Sequence, residues 1–271
     1  MLTGLLRPGR LAGSVSFFLR ALLKLASPRK SVAARNLEIA LPDRTPRERR
    51  SVLMRTYDHL VWVGIEFIAL QHDPRQVLEW VEAENASLLD VEGGAIIVAC
   101  HVGNWELLAA WLAQSGHRIT AIVREPDDAA ERDAIGEMRR RAGVSCLSKH
   151  APMTRAAAVL RRGELLGIMP DQHGGSDGIK APLFGLETST PRGPALFAYL
   201  TGKPLIPVSS YRVSPFKHKL RVWPPIEWRK SGSRDETIYG ITLRINKAVE
   251  DIIREAPDQW LAQHKRFKEH Y

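Results

Sequence analysis

His101 and Glu106 stand five positions apart in AIIVACHVGNWE, the stretch from Ala95 to Glu106. An apolar run of strand length delivers the histidine, and the glutamate opens a predicted helix. An imidazole with a carboxylate beside it can take a proton from a hydroxyl: Glu106 would hold one ring nitrogen and leave the other as the base. The bland alternative is a histidine closing a strand and a glutamate favoured by the positive end of a helix. Side chains alternate along a strand, so Cys100 points away from His101 and is expected in the core. Backbone N–H groups around Gly103 and Asn104 add positive potential at the same place.

A second polar group gathers at another strand exit. After the apolar LLGIM, ending at Met169, come Asp171, Gln172 and His173, then a glycine-rich loop. Gly174, Gly175, Ser176, Asp177 and Gly178 formally spell G-x-S-x-G. A nucleophile elbow needs a strand directly before the serine and a helix directly after it, whereas Gly178–Phe184 reads as extended chain, so the string is discounted. No P-loop, dinucleotide fingerprint or H-E-x-x-H occurs, which removes the commonest nucleotide and zinc readings. Cys100 and Cys146 lie in apolar surroundings without ligand spacing, so neither a disulfide framework nor a metal site is expected, and the compartment reads as reducing.

The elements that must position these groups alternate. A helix is predicted over Pro46–Leu70, entered at Thr45, with apolar residues near a 3.6 period. Strands are predicted at Ala95–Cys100, Ile119–Val123, Val144–Leu147, Leu165–Met169, Leu205–Ser209 and Leu220–Trp223, and helices at Asn104–Gln114, Asp127–Arg141, Thr154–Leu160 and Pro194–Leu200. Lys230–Glu236 reads as a polar loop. This alternation specifies an α/β fold with a mostly parallel mixed central sheet flanked by helices, in which ligands gather at the carboxyl ends of the strands. Its 271 residues, 44% hydrophobic and 25% charged, suit one large domain.

Charge is placed unevenly. Residues 1–50 carry 11 Lys plus Arg against 3 Asp plus Glu, a surplus of +8 within a total of +9. Interleaved with it are Leu5, Leu6, Leu11, Val15, Phe17, Phe18, Leu19, Leu22, Leu23 and Leu25, a mixture that suits an anionic lipid surface better than nucleic acid. Arg7, Arg10, Arg20 and Lys24 interrupt the apolar run, so residues 1–30 are expected to form an amphipathic, membrane-associating helical segment that lies in the interface, with a single domain over 31–271. The alternative is a solvated basic arm.

HVGNWE at 101–106 resembles the H-x-x-x-x-D/E motif of the glycerolipid and lysophospholipid acyltransferase superfamily. IVREP at 122, PDQ at 170, LFG at 183, T-x-x-G-P-A-L at 190 and TGKPLIPV at 201 look like the bacterial late acyltransferases of lipid A biosynthesis, the lauroyl and myristoyl acyltransferase branch. ARNLEIALPD at 34–43 and PDQWLAQHKRFK at 257–268 are similar to that family's terminal signatures. The phosphatidylinositol mannoside acyltransferases are the nearest alternative.

The resemblance implies a glycerolipid-acyltransferase-like fold and transfer of a fatty acyl chain from acyl carrier protein or acyl-CoA to a hydroxyl of a membrane glycolipid such as a lipid A precursor. It assigns His101 as general base, Glu106 as its orienting carboxylate, Arg124 as a cation for phosphate or oxyanion charge, and Asp171 as the aspartate of a third motif. Asn104 and Trp105 would shape the substrate pocket. No cofactor or metal is implied beyond the thioester co-substrate. The implied place is the cytoplasmic face of the bacterial inner membrane, peripherally attached. Two departures stand out: the long N-terminal membrane helix is absent or shortened, and Gly103-Asn104-Trp105 differs from many members. For Arg124 the alternative is an ion pair with Glu125 or Asp127, and for Asp171 a turn or cap. A hydrolase using the same dyad and a noncatalytic membrane-binding protein are the competing functions.

Overall fold

The computed structural model describes residues 10–271, so the first nine residues of the predicted membrane-associating segment lie outside the described residues. The chain opens with helices α1 (Arg10–Ala26), α2 (Lys30–Ala40), α3 (Pro46–Leu70) and the short α4 (Val77–Trp80), followed by strands β1 (Val81–Glu84) and β2 (Ile96–Val98). Then come α5 (Trp105–Gln114), β3 (Ile119–Val123), α6 (Ala129–Arg141), β4 (Ser145–Ser148), α7 (Met153–Arg161) and β5 (Leu165–Ile168). A hairpin of β6 (Ile179–Leu183) and β7 (Leu186–Thr190) precedes α8 (Gly193–Thr201), β8 (Leu205–Ser214), β9 (Lys217–Val222) and α9 (Arg234–Glu255).

Seven strands form one sheet in the order β1-β9-β8-β2-β5-β3-β4. The five from β8 to β4 run parallel, while β9 is antiparallel to β8 and carries β1 with it. This is the α/β fold with a mostly parallel mixed sheet that the alternation predicted. The central strand β2 is apolar throughout because both of its faces are covered. Ile96 and Val98 enter one core with Ile241, Ile245 and Val249 of α9. Ile97 enters the other with Leu107, Leu108 and Trp111 of α5. Cys100 lies in the first core, as expected from strand alternation.

Local chemistry fixes the helix entries. The Thr45 hydroxyl accepts the Glu48 N–H, Glu48 accepts the Thr45 N–H, and Pro46 begins α3. Ser233 and Glu236 make the same reciprocal cap for α9, so the expected polar loop at 230–236 yields to helix from Arg234. Helices α2, α4 and α9 and strands β1 and β7 were not among the predicted elements. Strand β7, LETST, lacks an apolar run and is held by pairing with β6, from Ile179–Thr190 to Leu183–Leu186.

Parallel register places the site. Val98 of β2 lies opposite Ile168 of β5. Three residues beyond each partner stand His101 and Asp171, so the two strand exits share one rim.

Candidate active site

His101 and Asp171 meet at that rim. The ring Nδ1 lies 2.8 Å from Asp171 Oδ1, and the His101 backbone N–H donates to Oδ2 at 3.1 Å. The indole N–H of Trp260 donates to Oδ2 at 3.2 Å. Burial alone would raise the Asp171 carboxyl, but the His101 ring, its N–H and Trp260 outweigh it and hold the group below the usual carboxylate range. An ionised Asp171 makes Nδ1 the protonated nitrogen, leaving Nε2 as the basic one. Nε2 has no partner among the described residues and is not sealed from solvent; the His101 side chain is 16% exposed. The arrangement can remove a proton from a hydroxyl that approaches the rim.

The loop from His101 to Asn104 is locked from below. Its neighbour is the C-terminal segment: Leu261 N–H donates to the His101 carbonyl at 2.8 Å and Gly103 N–H to the Gln259 carbonyl at 3.0 Å, so Val102 bridges Trp260. Gly103 has φ +63, and a Cβ there would lie 1.5 Å from the Ser210 carbonyl oxygen. Only glycine fits.

Beneath the loop is a buried polar cluster. Glu66, on α3, accepts from Arg212 Nε at 2.9 Å, Arg212 Nη2 at 2.7 Å, Phe216 N–H at 3.0 Å and Asn104 Nδ2 at 3.0 Å. Its burial opposes ionisation, but Arg212 and His218 hold it far below the usual carboxylate range. His59 Nε2 lies 3.0 Å from the Gly103 carbonyl, while its Nδ1 meets Arg212 Nη1. Those partners require the neutral ring with hydrogen on Nε2. Burial first, then the Arg212 charge, lowers His59 to about 3.

Several predicted site residues are placed differently from expectation. Glu106 does not reach His101: its two oxygens take Arg139 Nη2 at 2.7 Å and Nε at 3.0 Å, because the first turn of α5 faces the last turn of α6. Asn104 does not line an open pocket. It is fully buried, caps α5 through Leu107 N–H at 3.3 Å and reaches down to Glu66. Asp171 is buried behind His101, with its carboxylate on the ring Nδ1 and the backbone N–H of that residue. Arg124 ends β3 on the same edge, but its guanidinium lies 3.4 Å from Asp127 with both side chains largely exposed. Trp105 packs edge to face against the His101 ring, with centroids 5.2 Å apart. Ser176 sits in an exposed turn that leads into β6, as its discount as a nucleophile required.

The family model described as "Bacterial lipid A biosynthesis acyltransferase" matches residues 8–269. The chain belongs to this family. Among relatives, the acyltransferase is 26% identical over 254 residues to a lipid A biosynthesis lauroyltransferase of Escherichia coli (strain K12), covering 91% of this chain and 81% of that one. It is 24% identical over 256 residues to the palmitoleoyltransferase of the same pathway and strain, covering 89% and 79%. A phosphatidylinositol mannoside acyltransferase of Mycolicibacterium smegmatis is 28% identical over 126 residues, 45% of this chain and 41% of that one. A crystal structure of a 1-acyl-sn-glycerophosphate acyltransferase from Thermotoga maritima aligns with a TM-score of 0.42 at 16% identity, covering 88% of this chain and 96% of that one.

Sequence reasoning on the acyltransferase missed Glu66, His59, Arg212, Arg139 and Trp260 as parts of the site. One signal was available: Glu66 interrupts the apolar run VWVGIEFIAL, and a carboxylate inside a buried stripe demands a partner. Nothing local named Arg212 as that partner, since it arrives from 146 residues away.

Proposed function

We propose that this acyltransferase moves a fatty acyl chain from an acyl thioester to a hydroxyl of a lipid-A-like membrane glycolipid, with His101 as general base and Asp171 as the carboxylate that orients it. The observation carrying this reading is the ring of His101, fixed through Nδ1 by a buried aspartate with Nε2 left open at the rim. Nε2 takes the hydroxyl proton, the oxygen attacks the thioester carbonyl, and the resulting oxyanion is met by backbone N–H groups at the start of α5. Collapse breaks the C–S bond, and the leaving sulfur takes the proton from the imidazolium. Arg124 pairs with Asp127 at an exposed position where an ion pair contributes about 0–1 kcal/mol, so a phosphate or the donor can recruit its guanidinium cheaply. The donor is acyl carrier protein or acyl-CoA, and the working surface is the cytoplasmic face of the inner membrane. No described helix is long and apolar enough to cross a membrane. Exposed Phe17, Phe18, Leu22 and Leu25 on α1 support attachment in the interface.

The test is acyl transfer by purified protein to a lipid A precursor, a phosphatidylinositol mannoside and a lysophospholipid in parallel, followed by mass spectrometry. His101→Ala is expected to abolish transfer, and Asp171→Asn to lower kcat about 10²–10⁴-fold with KM nearly unchanged. Transfer that survives in a folded His101→Ala variant overturns the mechanism. Thioester loss independent of every lipid replaces transfer by hydrolysis.

A further inference from the structure

Helix α2 and the first turns of α3 frame a concavity of about 870 Å³. Four cations line it, Lys30 and Arg35 from α2 and Arg49 and Arg50 from α3, against a single acid, Glu38. Arg35 pairs with Glu38 at 2.8 Å, and Arg49 donates to the carbonyls of Leu41 at 3.3 Å and Arg44 at 2.5 Å. Lys30 and Arg50 have no partner among the described residues. Like charges crowded into a cleft repel one another and raise the local potential, which an anion relieves. Arginine forks and a lysine point charge together suit a phosphate.

Helix α1, which precedes this cleft in the chain, carries exposed apolar surface. On α1, Phe17, Phe18, Leu22 and Leu25 are 63%, 72%, 64% and 86% exposed. The chain then turns through Ser27 and Arg29, at φ 36 and 53, into Lys30. The corner is fixed, because the Tyr57 hydroxyl donates to the Pro28 carbonyl at 2.9 Å. A cationic cleft joined through a fixed corner to an apolar helix suits an amphiphile with an anionic head. The inner face of α2 leads to the catalytic rim: Asn36 donates to the carbonyls of Ala262 at 2.7 Å and His264 at 2.6 Å, in the segment whose Trp260 holds Asp171. Helix α2, about 10 Å across, thus lines the cleft with some residues and holds the C-terminal segment with another.

We propose that the cleft of Lys30, Arg35, Arg49 and Arg50 binds the phosphate of an anionic membrane lipid whose chains lie along α1, anchoring the enzyme with α2 between the lipid head and the segment that supports the dyad. This deepens the reading of a membrane-surface enzyme, and its main readout is vesicle binding rather than turnover, so failure of acyl transfer and failure of the anchor are distinguishable.

The full chain is titrated with phosphatidylcholine vesicles, with and without phosphatidylglycerol, and bound protein is measured by flotation. Lys30→Gln with Arg50→Gln is expected to weaken binding to the anionic vesicles about ten- to thirtyfold. The same charge loss placed elsewhere, Lys180→Gln with Arg141→Gln, is expected to change it less than about threefold, a bulk-charge effect only. The charge-keeping pair Lys30→Arg with Arg50→Lys is expected to bind near wild type, which keeps the test decisive if the neutral pair misfolds. Equal losses in both neutral pairs, or none in the first, overturn the proposal. So does competition by soluble glycerol phosphate at matched phosphate, which assigns the cleft to a free phosphate. Intact vesicle binding with turnover lost only for an acidic carrier-protein donor assigns it to that protein and overturns it as well.

Discussion

Asp171 holds His101 by accepting its ring N–H and its backbone N–H, and it is itself held by the Trp260 indole. A carboxylate satisfied by three donors cannot swing, and neither can the ring it grips. Trp260→Phe removes one donor to a charged acceptor, an effect of about 1.5–3 kcal/mol, so kcat is expected to fall about ten- to a hundredfold with KM within about twofold in steady-state assays. Glu106 behaves differently because it belongs to Arg139. In Glu106→Gln, kcat is expected to stay within about tenfold of wild type while the thermal midpoint drops, since a half-buried guanidinium loses its carboxylate. A loss as large as that of Asp171→Asn would return Glu106 to the role its spacing suggested. The motif's histidine was legible from its place after an apolar run. Its partner was not, because the spacing that put Glu106 near a helix start could not say which way that turn faces.

Among the elements, α3 and the loop from His101 to Asn104 are joined through His59, Glu66 and Arg212. His59 is neutral in the fold and lowered to about 3 from 6.5, so between those values the unfolded chain binds a proton that the folded chain does not. Stability therefore rises with pH across this window and is lost as pH falls from 6.5; His264, lowered to about 4 by burial, acts in the same direction. The thermal midpoint of wild type is expected to decline from pH 6.5 downward, before the carboxylates titrate. In His59→Gln the slope between pH 6.5 and 4.5 flattens, as differential scanning calorimetry can read. An identical slope in both proteins would remove His59 from this account. The strands and helices that carry the rim were predictable within a few residues, because the apolar runs are long and periodic. Strand β7 and the cap that starts α9 at Ser233 were not, since they depend on pairing and on side-chain contacts rather than hydrophobic period.

Over the whole molecule, the C-terminal segment closes the site from far along the chain, with Trp260 standing 89 residues beyond Asp171. Trp260, Arg266 and Phe267 are each at most 2% exposed. Arg266, lowered to about 10 by burial yet still charged at neutral pH, donates to the Ser189 carbonyl at 2.6 Å and the Thr190 hydroxyl at 2.8 Å. Removing residues 257–271 is expected to abolish activity and replace cooperative unfolding by a broad transition in circular dichroism, because it uncovers the core and orphans Asp171 together. A truncated chain that unfolds sharply near the wild-type midpoint would show the segment to be an accessory. By itself the sequence determined the α/β class, the histidine at a strand exit, the basic apolar N-terminus and, through ordered motifs, the family, because hydrophobic period and motif order are local properties of the chain. Only the tertiary structure decided that Asp171 and not Glu106 grips His101, that Asn104 is sealed beneath the loop, and that Glu66 finds Arg212. Those pairings depend on strand register and on how helices face one another, which link residues far apart in sequence.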